Sequence, residues 1–213
     1  MVKRLFFILA LFCSCFQVSA QTYDERITRA MDAVEKDSLY LAEQLLKDAL
    51  NADPANMKNA LLLSNLGTIQ RRMGKNKEAI ESYTLAINKT PFSVTMLLNR
   101  ASLYLEMDYL EQAYSDYCNV IDLDKKNKEA LQFRAYIYMR RRQYSEARAD
   151  YRALLEEEPS NRIARLGMVM VNQKDKRYQE ALETLNLMIT EFPKDVSLLK
   201  ARAEIGVEMN TLD

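Results

Sequence analysis

Four alanines, Ala79, Ala113, Ala147 and Ala181, stand at equal intervals of about 34 residues, and the same interval runs through other residue types. Tyr83, Tyr117 and Tyr151 keep it, each at the same short distance after one of the first three alanines. Tyr104 with Tyr138 and Ala101 with Ala135 keep it too. Pro91, Pro159 and Pro193 are separated by two such intervals and then by one. Independent series with one shared period mean a stack of similar units, none of which can bury its apolar face alone. Composition says what the units are made of. Four Gly and four Pro in 213 residues are too few for a sheet-and-turn fold, while Leu, Ala, Glu, Lys and Arg abound, so the chain is helical nearly throughout. With 48% hydrophobic residues it can form a sizeable core. Small residues at fixed positions let two helices approach, Tyr and Leu fill the space between units, and Pro stops each second helix because it donates no hydrogen bond.

The pattern resembles the tetratricopeptide repeat, a helix-turn-helix unit of about 34 residues. Residues 60–93 supply Leu63, Leu66, Gly67, Ala79, Tyr83, Ala86 and Pro91. Residues 94–127 supply Leu97, Ala101, Tyr104, Ala113 and Tyr117, and 128–161 supply Leu131, Ala135, Tyr138, Ala147, Tyr151 and Pro159. Residues 162–195 match less fully, with Ala181, Leu185 and Pro193. Val169 there stands where a small residue is expected. Leu166-Gly167 offers an alternative packing pair that would leave two extra residues in the turn. An earlier unit, about 23–56, keeps Ala30, Ala42, Ala49 and Pro54, has Leu46 in place of the aromatic, and is followed by three extra residues. A terminal repeat has one neighbour and is expected to be atypical. About 196–209 reads as a lone amphipathic helix. The resemblance implies an all-α, right-handed α-solenoid of about five helix-turn-helix units plus this C-terminal capping helix. The first helix of each pair lines a concave groove.

By the same resemblance, groove positions are Ser64, Thr68 and Arg71 in the second unit and Thr95, Leu98, Ser102 and Leu105 in the third. They continue as Glu129, Gln132, Tyr136 and Met139 in the fourth and Ile163, Leu166, Met170 and Gln173 in the fifth. The surface is mixed, more apolar toward the carboxyl end, and suits an extended peptide or a helix of a protein partner. Some members of the family clamp a chaperone's carboxyl terminus with Lys and Asn. Here Asn65 and Asn99 occupy Asn-type places, but Ile27 and Thr95 stand where Lys is needed, so that function is not expected. Basic residues gather where first helices end: Arg71-Arg72, Arg140-Arg141-Arg142, and Lys174, Lys176 and Arg177. Glu106 and Asp108 break the series in the third unit. Cations at a helix carboxyl end are favourable by about 0.3–1 kcal/mol each, which accounts for the clusters without a ligand.

Enzymatic chemistry is not expected. The sequence has no His, which excludes Ser-His and Cys-His nucleophiles and His-containing zinc sites. Glu156, Glu157 and Glu158 are consecutive on a helix end and point in different directions. Cys118 beside Tyr117 reads as a small buried hydrophobe. No phosphate loop, paired-Cys motif or calcium loop occurs, so no cofactor or metal is implied. Thirty basic and thirty acidic residues give no pull toward nucleic acid.

The amino terminus reads as an export signal. Lys3 and Arg4 precede an uncharged apolar run from Leu5 to Phe16, and Val18-Ser19-Ala20 places small residues ahead of a cut before Gln21. That run is shorter than the about 20 residues a membrane span needs, so residues 1–20 are expected to leave no transmembrane span in the mature chain. Neither Cys13 nor Cys15 is preceded by the Leu-small-small sequence of a lipid-attachment site. The sequence thus describes a non-enzymatic protein-interaction scaffold in the periplasm or at the outer membrane. The alternative is an accessory subunit of an outer-membrane assembly or secretion complex, with a lipid anchor.

Overall fold

The computed structural model describes residues 22–210 and is a single file of helices packed on their chain neighbours. Five antiparallel pairs follow one another: α1 (Tyr23–Glu35) with α2 (Leu39–Ala52), α3 (Asn59–Arg72) with α4 (Asn76–Lys89), α5 (Val94–Glu106) with α6 (Leu110–Leu123), α7 (Lys128–Arg140) with α8 (Tyr144–Glu157), and α9 (Arg162–Lys174) with α10 (Tyr178–Glu191). A last helix, α11 (Val196–Asn210), buries Leu198 and Ile205 against Val169, Leu185 and Met188 of the fifth pair. The chain is thus the expected α-solenoid of five helix pairs and a cap. The amino-terminal segment read as an export signal, with Cys13 and Cys15, lies outside the described residues. No described helix is long and apolar enough to cross a membrane.

The joints repeat as faithfully as the helices. Inside each pair three residues make the turn, and the middle one takes a left-handed backbone: φ is 54° at Asp37, 75° at Gly74, 58° at Asp108, 60° at Arg142 and 59° at Lys176. The next N–H then donates to a carbonyl of the helix's last turn, as from Lys75 to Gln70 and from Gln143 to Tyr138, which closes the helix end. Between pairs, Ser93, Asn127 and Asn161 each accept a backbone N–H of the following first helix. Asp195 does the same for α11.

The role expected of proline needs correction here. Ala52, Lys89, Glu157 and Glu191 end their helices shortly before Pro54, Pro91, Pro159 and Pro193. Yet Leu123 ends α6 at the same place with Lys125 in the proline position, and Asp124 has the same extended backbone as Glu158. The capping Asn127 suffices to fix the turn, and proline reinforces it.

The core rests on matched volumes. Tyr83, Tyr117 and Tyr151 are 1%, 0% and 6% exposed, in equivalent places on successive second helices. Opposite each stands a small residue of its own first helix, Gly67, Ala101 or Ala135. A Cβ added at Gly67 would lie 2.8 Å from the Tyr83 ring. In the fifth unit, where the aromatic is lost, the opposite residue changes as well: Leu185 is met by the buried Val169. This decides the alternative left open by the sequence. The α9–α10 turn is as short as the others, with no added residues, because Val169 fills the helix-packing place. Gly167 faces Tyr151 of the preceding unit instead.

Polar groups also repeat inside the stack. Arg100 and Arg134, at the place of Leu66, each make a two-pronged bond to an aspartate of the second helix, Asp116 and Asp150, at 2.7–2.9 Å. Each also reaches the preceding unit, Arg100 at the Thr84 hydroxyl and Arg134 at Cys118 Sγ, 3.8 Å away. Cys118 is accordingly half-buried beside a guanidinium, not a fully buried hydrophobe. Between the first two units, where the aromatic is missing, the buried Glu43 accepts from Lys47, Lys75 and Gln70, and Ser82 donates to Gln70. Burial opposes the Glu43 charge, but those donors outweigh it and hold the carboxyl down to about 2, against 4.5 ordinarily.

Two outcomes follow. The folded Glu43 has the lowered value, so its contribution is complete above pH 4.5 and fades as pH falls toward 2. Its lysine partners are half wetted, so the wild type should lose about 1 kcal/mol more than Glu43→Gln across that window in urea titrations. Parallel losses would show that Glu43 does not tie the units. Second, the buried Tyr117 hydroxyl has no hydrogen-bond partner among the described residues, while that of Tyr83 pairs with Thr68 at 3.0 Å. Tyr83→Phe should cost about 1 kcal/mol, and Tyr117→Phe should be neutral or stabilising.

Candidate functional site

The first helices α5, α7 and α9 follow one another on one side of the stack. Residues three or four apart on a helix share a face, so Gln132, Tyr136, Met139 and Arg140 of α7 project together. Ile163, Leu166, Met170 and Lys174 of α9 do the same. With Ser102, Leu105 and Glu106 of α5 they border a groove of about 910 Å³. Phe133, Gly167, Arg142, Tyr144 and Tyr151 complete its lining. Three large apolar side chains stand open there: Tyr136 is 41% exposed, Ile163 55% and Met170 53%.

Eight of the expected groove residues are thereby brought together: Ser102, Leu105, Gln132, Tyr136, Met139, Ile163, Leu166 and Met170. The others are not. Leu98 packs into the cluster around Tyr117. Thr68 lies a unit away, its hydroxyl bonded to Ser64 O and Tyr83. Gln173 donates to Glu208 of α11 at 3.0 Å. Arg71 is spent on the groove's edge, bonded to Ser102 at 3.1 Å and to Glu106. Ser64 is buried, and Thr95 and Glu129 are exposed outside the groove.

The floor escapes a reading of the groove positions alone, although the repeat carries its signal. The series Asn65, Asn99, continued at the same period, gives Phe133 and then Gly167. Phe133 stacks on Tyr117 of the preceding unit, centroids 5.7 Å apart and planes 23° off parallel. Gly167 lies so close to Tyr151 that an added Cβ would be 2.4 Å from the ring. With no side chain at 167, the Tyr151 edge reaches the groove. Burial, and then Asp150, push its phenol up to about 12, so the floor is neutral at ordinary pH. The hydroxyl points at Met139 Sδ, 3.9 Å away.

Charge around the groove also differs from expectation. The basic helix ends are more than helix-end electrostatics. Arg72 pairs with Asp37 at 2.8 Å, Arg140 with Asp108 at 3.0 Å and Arg141 with Glu111 at 2.6 Å. Each ties one unit to the unit before it. Glu106 and Asp108, which break the basic series in the sequence, are its partners on either side. Two groove cations are left over: Arg142 and Lys174 pair with no acidic side chain among the described residues. The groove mouth is therefore net positive.

The close approach at Gly167 is testable by a double-mutant cycle. Gly167→Ala should cost about 1–3 kcal/mol in denaturant titrations by forcing Tyr151 to shift. On a Tyr151→Leu background the same change should cost far less, with a coupling of about 1 kcal/mol or more. Additive losses would mean the two residues do not touch.

Comparison with known proteins agrees with this geometry. Tetratricopeptide-repeat sequence profiles match residues 60–88, 94–127 and 134–196. The crystal structure of a tetratricopeptide repeat protein from Parabacteroides merdae is 38% identical. It superposes with a TM-score of 0.81 over 88% of this chain and 73% of that one. YrrB, described as a tetratricopeptide protein with an unusual peptide-binding site, superposes at 0.74 over 90% of this chain and 97% of its own, at 17% identity. That likeness is one of fold. The first such domain of Spaghetti, solved with an HSP90 peptide, is 29% identical, with a TM-score of 0.52 over 55% of this chain and 94% of its own. Human DnaJ homolog subfamily C member 7 is 34% identical over 94 residues, 44% of this chain and 19% of that protein. The chain thus spans about a fifth of that relative's length.

Proposed function

The chain belongs to the tetratricopeptide repeat family, and on that premise we propose that it is a non-enzymatic scaffold whose groove between α5, α7 and α9 holds a segment of a partner protein. The observation that carries the reading is the exposure of Tyr136, Ile163 and Met170 side by side over a concave apolar floor. Exposed apolar side chains scattered singly need no explanation, but several lining one concavity mark a contact surface. The groove is long enough in register, three successive first helices, for an extended strand or a short helix. The peptide held by the Spaghetti domain supports the same use of the scaffold, though the Lys places of a carboxylate clamp are Ile27 and Thr95 here. Lack of catalysis is supported by the sequence, which has no His, and by the carboxylate of Glu106, which Arg71 already holds.

The residues Lys3 to Ala20 support export, and we place the scaffold in the periplasm or at the outer membrane. Mass spectrometry of the mature amino terminus should find Gln21 first. A diacylated Cys13 or Cys15 would instead favour the anchored accessory-subunit role.

The binding reading is tested by affinity capture from the native envelope. Tyr136→Glu, Met139→Glu and Met170→Glu together should reduce capture of the co-purifying partner by about tenfold or more, with unchanged helical circular dichroism. Leu187→Glu, on the exposed side of α10, should leave capture intact. Equal capture by both variants would remove the groove from the interaction.

A further inference from the structure

The groove contains an interrupted pattern. At one position of the repeat, unit four supplies Phe133, whose ring lies nearly parallel on Tyr117. Unit five supplies Gly167 at that position, whose backbone lies directly against the Tyr151 ring with no room for a side chain, so the groove floor there is the edge of Tyr151 where unit four presents a phenylalanine ring. Met139 and Met170 border the same space. Thioethers and a tyrosine ring around one opening favour an aromatic guest, since sulfur and ring contacts are both attractive to it.

The mouth adds charge. Arg142 and Lys174 line the groove without an acidic partner among the described residues. Arg142 also sits at φ 60°, where unit two uses Gly74. A side chain that forgoes glycine at a left-handed position is worth accounting for, and Asp37 and Asp108, at the same place in other units, are each occupied by an ion pair. The corresponding partner of Arg142 is missing.

Resting on the peptide-groove reading, we propose that the bound segment of the partner protein carries an aromatic side chain flanked by carboxylates. The ring lies in the groove between Tyr136, Met139 and Met170, above the edge of Tyr151. The carboxylates meet Arg142 and Lys174. This recognition differs from a clamp on a chain terminus: it uses an internal aromatic and the turn residue between α7 and α8.

The test uses end-blocked, fluorescein-labelled peptides with a Gly-Ser frame and the centres Glu-Phe-Glu, Glu-Ala-Glu and Lys-Phe-Lys, titrated with the chain by fluorescence anisotropy. Glu-Phe-Glu should bind at least about tenfold tighter than either of the others. In Arg142→Gly combined with Lys174→Ser the preference for Glu over Lys should vanish, while Phe should still beat Ala. Glycine suits the backbone at 142, so this variant keeps its fold. Met170→Glu should abolish binding of all three. Indifference to Phe against Ala, or to Glu against Lys, overturns the proposal. If envelope capture still depends on Tyr136, Met139 and Met170 in that case, the groove reading survives and the aromatic-acidic assignment alone fails. Sedimentation velocity closes the remaining alternative: concentration-dependent dimers that Met170→Glu dissolves would give the groove to a second copy of the chain and overturn the proposal.

Discussion

The three central pairs of helices in this chain depend on a large residue of the second helix meeting a small one of the first. Tyr83, Tyr117 and Tyr151 are accommodated because Gly67, Ala101 and Ala135 stand opposite, and interiors packed to crystal-like density tolerate little mismatch. In the fifth pair the large residue shrinks to Leu185 and the small one grows to Val169. Each match lets the two helices of its pair close on one another without a void. A constant period makes the first helices line up, and their alignment leaves one face of the stack free of internal packing duties. The groove is a by-product of this regularity before it is anything functional.

The joints between units are held by a second, polar system. Arg100 and Arg134 grip Asp116 and Asp150 inside their units and touch the preceding unit at Thr84 and Cys118. Removing one partner of a buried pair leaves an uncompensated charge, which costs more than the intact pair contributes. Each arginine is therefore tied to the presence of its aspartate. Nearer the surface, Arg72, Arg140 and Arg141 tie successive units through Asp37, Asp108 and Glu111. In the groove, only the cations that this lattice does not use remain available.

The architecture is legible because alanine, tyrosine and proline series share a period that chance does not produce. The polar joints are not, because arginine at a leucine position looks like a departure from the pattern. The repetition is nonetheless present: Arg100 and Arg134 lie one period apart, and so do Asp116 and Asp150, so each arginine meets its aspartate at the same separation along the chain. The groove is legible on its walls and not on its floor. Tyr136, Met139 and Met170 follow from the resemblance to the repeat family, but Tyr151 reads in sequence as a packing residue alone. Its edge reaches the groove only because residue 167 has no side chain, a fact that belongs to the next unit. Leu98 falls outside the groove because it packs into the cluster around Tyr117, and Thr68 because it lies a unit away.

The central claim is that aromatic side chains of one unit pack against the next unit at a fixed register, Tyr117 on Phe133 between units three and four and Tyr151 on the Gly167 backbone between four and five. Proton NMR of the folded chain measures this directly. Nuclear Overhauser contacts should join the ring of Tyr117 to that of Phe133, and the ring of Tyr151 to the α protons of Gly167. If the Tyr151 ring shows no contact with Gly167, or Tyr117 none with Phe133, the units are not stacked in this register and the groove is not built as described.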